Sequence, residues 1–332
     1  MLKILSNIYG HFANGRNAKF DSGQLPIHKC KIPVISIGNI SAGGTGKTPL
    51  TLLIAQFLLD NGIKPGIIAR GYKGNFEGSL VVSDGNKILS TVEQSGDEMY
   101  MLANNIKVPI VVNKRKYQAA IYIEQQFDID CIIVDDGFQH RYLHRDLDII
   151  IMDKQTLDKP YPLPKGRLRE PFHNINRADI ICLPEAINES IPMLQRYNNH
   201  AIYATLQTKT DTLIPLTENS TTDSKVFLFS GIANHSKFRN SVVDFGREVI
   251  GELAFPDHYT YSEASIRKII LKSNARNAKT IITTEKDAVK LSQYIDLFSE
   301  NNIALLYLKI TSIVSRNEDL FFKRIIEMVN KT

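Results

Sequence analysis

The segment Gly38-Asn39-Ile40-Ser41-Ala42-Gly43-Gly44-Thr45-Gly46-Lys47-Thr48 joins a β-branched run, Val34 to Gly38, to an apolar stretch from about Gly46 to Leu59. A strand, a glycine-rich turn and a helix in that order form the context of a phosphate-binding loop. The glycines let backbone N–H groups curl around phosphate oxygens, and the helix N-terminus adds a favourable dipole. On this reading Ser41 to Thr48 cradle ATP, Lys47 reaches the β- and γ-phosphates, and the Thr48 hydroxyl binds Mg²⁺. Ser41 stands where the strict pattern has its first glycine. The competing reading is a glycine-rich turn with no ligand.

Around this segment the chain alternates short apolar runs with helical patterns. Ile67 to Ala69, Val108 to Val112, Cys131 to Asp135 and Leu147 to Met152 are short, largely apolar runs, continuous rather than alternating. Such runs fit strands covered on both faces, as in a parallel sheet. Stretches such as Lys114 to Gln126 supply the crossovers. The expectation is an α/β chain: a P-loop NTPase-type doubly wound parallel sheet with a second, smaller α/β domain. Asp179 to Leu183 and Ala201 to Leu206 are further strand candidates. Gln207 to Ser224 is rich in Thr, Asp, Asn and Ser and reads as a linker. The expected division is therefore 1–206, a linker at 207–224, and 225–332. In the last part, Val226 to Ser230, Thr280 to Thr283 and Ile303 to Leu308 read as strands. Ser262 to Ser273 and Leu320 to Val329 read as helices.

Composition narrows the function classes. The 332 residues are 43% hydrophobic and 23% charged, with a net charge of +5. That balance is globular and only mildly basic, so no nucleic-acid partner is expected. An anionic small molecule or an anionic membrane surface remains compatible. Three cysteines, Cys30, Cys131 and Cys182, lack zinc-site spacing and suit a reducing compartment. No apolar run approaches the ~20 residues of a membrane span, and Ser6, Asn7, Gly10 and His11 break any signal-peptide core. A cytoplasmic protein is expected. Leu2, Leu5, Ile8, Tyr9 and Phe12 nevertheless recur at helical spacing beside Lys3, Arg16 and Lys19. They describe either a terminal helix packed on its own domain or an interfacial helix facing lipid.

Further motifs carry polar chemistry. Ile132-Ile133-Val134-Asp135-Asp136-Gly137 is an apolar strand ending in acid, the position of a Mg²⁺-orienting aspartate beside a phosphate loop. With strand geometry maintained, Asp135 and Asp136 point to opposite sides. Asp97 and Glu98 in Ser95-Gly96-Asp97-Glu98 read locally as a helix cap. Arg70-Gly71-Tyr72-Lys73-Gly74 and Lys165-Gly166-Arg167-Leu168-Arg169-Glu170-Pro171 are basic loops, either phosphate-facing or solvated. His258 in Phe255-Pro256-Asp257-His258 reads alone as an ordinary surface or capping histidine. A guanine-specific Asn/Thr-Lys-x-Asp motif is not found: Asn113-Lys114-Arg115-Lys116 lacks the Asp, and Thr284-Glu285-Lys286-Asp287 has the wrong order.

Taken together, these motifs resemble the tetraacyldisaccharide 4'-kinase family, the lipid A 4'-kinases. The resemblance rests on Gly38-Asn39 leading into Gly43 to Pro49, Ala69-Arg70-Gly71-Tyr72, Gly96-Asp97-Glu98, Asp135-Asp136-Gly137-Phe138-Gln139-His140, Leu168-Arg169-Glu170-Pro171, Phe255-Pro256-Asp257-His258 and Thr283-Thr284-Glu285-Lys286-Asp287-Ala288. Ser41 suits the family, which commonly has a hydroxyl residue there. Met99 replaces a proline and Lys73 a common glycine.

The resemblance implies a two-domain kinase with its active site between the domains. ATP would phosphorylate the 4'-hydroxyl of the lipid A disaccharide 1-phosphate precursor. The enzyme would be peripheral on the cytoplasmic side of the bacterial inner membrane, held through the N-terminal helix, without an obligate protein partner. Asp97 is implied as general base and His258 as the partner tuning it. Asp136 and Thr48 are implied at Mg²⁺, with Asp135 next; Arg70, His140, Arg169 and Glu170 are implied to organise substrate or phosphate. Asp97 falls in the first expected domain and His258 in the second, so their pairing is expected to need closure. The alternatives are a P-loop kinase or ligase of a soluble small molecule, and a partitioning or chaperone ATPase.

Overall fold

The computed structural model describes residues 1–44, 46–218 and 223–330. They form two compact units. In chain order the elements are helix α1 (Leu2–Asp21), strand β1 (Val34–Gly38), α2 (Lys47–Asp60), β2 (Pro65–Ala69), β3 (Ser79–Asp84), α3 (Val92–Ser95), α4 (Asp97–Asn105), β4 (Pro109–Asn113), α5 (Lys116–Gln126), β5 (Cys131–Asp135), β6 (Leu147–Ile151), α6 (Lys154–Asp158), β7 (Ile180–Leu183), α7 (Ile191–Leu194) and β8 (Ile202–Pro215). After these come β9 (Lys225–Ser230), α8 (His235–Asp244), β10 (Glu248–Ala254), α9 (Glu263–Asn274), β11 (Thr280–Thr284), α10 (Glu285–Ala288), α11 (Ile295–Glu300), β12 (Ala304–Arg316) and α12 (Glu318–Val329).

The first unit orders its strands β8-β7-β6-β1-β5-β2-β4-β3. All neighbours are parallel except β3, which runs antiparallel to β4. The continuous apolarity of β1, β2, β5, β6 and β7 has its expected cause: every residue in them is buried. The antiparallel edge strand β3 was not anticipated, because a half-exposed edge lacks that continuous signal. In the second unit β10, β9, β11 and β12 form a parallel set, with Phe227, Phe229, Ile266, Ile269, Ile281 and Leu305 in its core.

Two boundaries differ from the expected division. The expected linker is strand through Pro215, since its Thr208, Thr210 and Thr212 are β-branched and suit a pleated surface; the rest of that stretch lies partly outside the described residues. Gly96–Met101 belongs to the second unit, and the chain from Ser312 onward belongs to the first.

β1 and β5 place the site. Ile37 pairs with Asp135, so the glycine-rich turn and the acidic strand end emerge side by side at the carboxyl ends of the strands. Their closeness constrains Gly38. A Cβ there would lie 2.7 Å from the Phe138 Cβ and 2.8 Å from its backbone nitrogen. Gly38→Ala is therefore expected to cost about 1–3 kcal/mol, the usual range for overpacking. Urea denaturation checks this; an unchanged midpoint would refute the close approach.

Helix α1 is inverted relative to an ordinary surface helix. Its small and polar side faces the first unit: the Ser6 hydroxyl donates to the Pro162 carbonyl, Tyr9 to that of Arg169, and Gly10 lies against Pro162 and Pro171. Its apolar side is exposed, with Phe12 at 72%, Ile4 at 65% and Leu2 at 57%.

Candidate active site

The first cluster lies in the first unit. Gly43 (φ 117°) and Gly46 (φ 90°) adopt backbone conformations that favour glycine. Thr45 falls outside the described residues. The turn is strapped by the segment Arg167–Arg169: Ala42 N–H donates to the Arg167 carbonyl, and Arg169 N–H to that of Ile40. Ser41 accepts a hydrogen bond from Thr156 at 3.0 Å. The Arg167 guanidinium donates to the Ala42 carbonyl, and it fills the space that a Cβ on Gly43 would need.

Lys47, at the start of α2, lies 3.5 Å from Asp136. Arg169 donates to both Asp136 oxygens at 2.8 and 2.9 Å. Strand geometry does not persist through Asp136, which has φ 51°, so the expected opposite pointing of the two aspartates does not arise from a pleat. Burial pushes the Asp136 carboxyl up, but Lys47, Lys116 and Arg169 outweigh it and hold it well below the usual carboxylate range. Asp135 ends β5 and accepts from Thr51 at 3.4 Å, one turn along α2 from Thr48.

Lys116 was not anticipated. In sequence Asn113-Lys114-Arg115-Lys116 shows only that a guanine-specific motif is lacking; in the fold Lys116 is buried and donates to the Asp135 and Asp136 carbonyls. Burial pulls its pKa down against the two aspartates. It thus fixes the backbone that carries the acidic pair.

The remaining implied residues divide. Arg70 is exposed at the end of β2. Glu170 is buried, with its oxygens taken by Arg177, Gln139 and Asn17. His140 accepts the Tyr117 backbone N–H at its Nε2. Burial, with the charges of Lys116 and nearby arginines, pushes that imidazole down to about 3. His140 thus holds the start of α5, and Glu170 ties together Arg177, Gln139 and Asn17. Lys73, where a glycine is common, has φ 59°, a conformation that costs a lysine more than a glycine.

The second cluster lies wholly in the second unit, because Gly96–Met101 packs there. The His258 Nδ1 is 3.0 Å from both Asp97 oxygens. The expectation that these two residues start apart is overturned: one unit holds them together. Burial pushes Asp97 up, but the His258 hydrogen bond and the charges of Lys286 and Lys290 outweigh it and hold Asp97 below its ordinary range. The left-handed His258 backbone (φ 57°), anchored by its N–H to the Gly231 carbonyl, aims the ring at Asp97.

The tetraacyldisaccharide-1-P 4'-kinase family model matches residues 1–330. The chain belongs to this family. A tetraacyldisaccharide 4'-kinase of Desulfotalea psychrophila is 35% identical over 311 residues, covering 87% of each chain. The Aquifex aeolicus enzyme of the same name is 33% identical over 303 residues, covering 89% of this chain and 91% of its own. The crystal structure of an apo-form LpxK from Aquifex aeolicus in complex with ATP matches with a TM-score of 0.80 at 30% identity, covering 98% and 97%. The kinase class and the P-loop α/β fold expected from the motifs thus hold. The soluble-substrate and partitioning-ATPase readings are not favoured for a member of this family. Among the described residues no group of three or more His, Cys, Asp and Glu is arranged to hold a metal, and no helix is long and apolar enough to cross a membrane.

Proposed function

We propose that this chain transfers the γ-phosphoryl group of ATP to the 4'-hydroxyl of tetraacyldisaccharide 1-phosphate, a step of lipid A biosynthesis. The family match over residues 1–330 carries the reading. The transfer needs little covalent help from the protein; it needs positioning and charge neutralisation. Ser41 to Thr48 bind the triphosphate, and Lys47 follows the charge onto the transferring group. Asp97 accepts the hydroxyl proton, while His258 orients that carboxylate.

Mg²⁺ suits the oxygen donors Thr48, Asp135 and Asp136, since this hard cation takes one or two carboxylates together with substrate phosphates. Bound there it would neutralise charge on the β- and γ-oxygens. Arg169 already holds Asp136 in place, so that carboxylate needs no reordering.

The outward apolar face of α1 supports a peripheral enzyme on an anionic bilayer, on the cytoplasmic side of the inner membrane. Exposed Leu2, Ile4, Leu5, Ile8 and Phe12 enter the interface, and nearby Lys3, Arg16 and Lys19 meet headgroups. Deleting the helix would uncover the surface beneath it, so substitution is the cleaner test. Ile4→Ser with Phe12→Ser should leave the melting temperature unchanged. Each buried apolar side chain is worth about 1.5–3 kcal/mol, so vesicle partition should fall at least tenfold and the KM for lipid should rise. Unchanged sedimentation with anionic vesicles would make the helix merely structural.

The function itself is tested by incubating the enzyme with γ-labelled ATP and the lipid disaccharide 1-phosphate in mixed micelles. Label should appear on the 4' position of the disaccharide. ATP hydrolysis without transfer, or label at another position, would refute the assignment.

A further inference from the structure

The motif Thr283-Thr284-Glu285-Lys286-Asp287-Ala288 has no role in the scheme above, yet the second unit builds it against Asp97 and His258. Lys286 lies 15% exposed at the start of α10. Its Nζ is 3.0 Å from His258 Nε2, 3.1 Å from Glu98 Oε1 and 3.4 Å from Asp257 Oδ1. We propose that Lys286 is a positioning residue for the phosphoryl acceptor: its ammonium occupies the far nitrogen of His258 and so fixes the imidazole proton on the nitrogen facing Asp97. The inference rests on the reading of Asp97 as the base.

Donors and acceptors decide where the imidazole proton sits. An ammonium has three hydrogens and no acceptor. Three acceptors surround this one, so its hydrogens are spoken for within the cluster and none is left for a phosphate. Burial pulls the Lys286 amine down, but Glu98, Asp97 and Asp257 outweigh it and keep it charged. Nε2 facing an ammonium must accept. A neutral imidazole with an accepting Nε2 carries its proton on Nδ1, where it donates to Asp97. Glu98, beside Asp97 on α4, thus holds the lysine that orients the histidine.

The other charges facing this ring do not replace Lys286. Asp257 approaches Nε2 at 3.9 Å and could only accept a proton held there. Lys290 lies 3.8 Å from Asp97 and 2.7 Å from Asp287, with a further bond to the Tyr259 carbonyl. Asp287 takes the Gly231 N–H and the Thr284 hydroxyl. With Lys286 removed, Glu98 and Asp257 would face Nε2 uncompensated and favour a proton there. An imidazolium beside Asp97 draws on the carboxylate and weakens it as a base.

The test is Lys286→Met in the full chain, read by ¹⁵N NMR of labelled histidine and by pH-resolved kinetics, with Lys286→Arg as the conservative variant. In the wild type the His258 Nε2 resonance should be that of an accepting nitrogen; in Lys286→Met it should become that of a protonated one. The kcat should fall about tenfold or more, most steeply on the acid side, with the KM for ATP unchanged. Lys286→Arg should recover part of both signals. An unchanged ¹⁵N signature in Lys286→Met overturns the proposal, including where activity falls only in step with the folded fraction. Asp97→Asn separates the two claims. If it remains active, the base reading fails whatever Lys286 does. If it is inactive while Lys286→Met keeps the wild-type ¹⁵N signature and a kcat within about twofold, the Lys286 proposal alone fails.

Discussion

Lys47→Ala should reduce kcat by about 10²–10³-fold or more while leaving the fold intact. The lysine opens the helix that follows the phosphate turn and meets Asp136 only loosely, at 3.5 Å. A flexible ammonium can leave that carboxylate for a phosphate and follow charge as it develops, a contact that strengthens in the transition state. Losing one such preorganised donor typically costs about 2.7–4 kcal/mol. The fold should survive because Asp136 keeps both hydrogen bonds from Arg169, and Lys116 still holds the backbone beneath it. The measurements are kcat on micellar substrate and a thermal melt. A kcat near wild type removes Lys47 from the chemistry; a collapsed melt shows that its charge was needed for folding instead.

Much of the first unit is readable because parallel strands buried on both faces leave an unambiguous trace. Val34 to Gly38 and Cys131 to Asp135 appear in the fold with the bounds expected from sequence. The less visible elements have a common cause. β3 and β10 are largely half-exposed, so their apolarity is interrupted. The threonine-rich part of β8 carries polar groups on a β-favouring backbone, and polarity suggested a linker where branching made a strand.

The site was legible in its motifs and obscure in its partnerships. Nothing near Asn113-Lys114-Arg115-Lys116 announces that its last lysine is buried under the acidic pair. Arg167 is another such case: only the fold brings it onto Gly43. Long-range packing also decides that Asp97, which local sequence presents as a helix cap, leaves the first unit's fold for the second and meets His258 there. Family resemblance linked those two residues across 161 positions, but not the unit that holds them.

That shared placement changes what the paired substitutions should do. Asp97→Ala and His258→Ala are each expected to lower kcat by about 10²–10⁴-fold, the usual worth of a positioned general base. Because the two side chains are already hydrogen-bonded at 3.0 Å, they act as one unit, and the double variant should be little worse than the poorer single. The pH profile separates their roles. As the proposed general base, Asp97 must be ionised, so activity is expected to be lost as pH falls through its pKa. In the wild type that limb lies below the ordinary carboxylate range, since His258, Lys286 and Lys290 outweigh burial. His258→Ala removes the hydrogen bond but leaves the burial, so Asp97 protonates at higher pH and the acid limb of its residual activity should move up. Asp97→Ala should abolish the limb. ATP affinity should stay near wild type in all three variants, because the phosphate turn belongs to the other unit. Fully multiplicative losses in the double variant would show two independent contributions, and an acid limb unmoved by His258→Ala would deny His258 its tuning role.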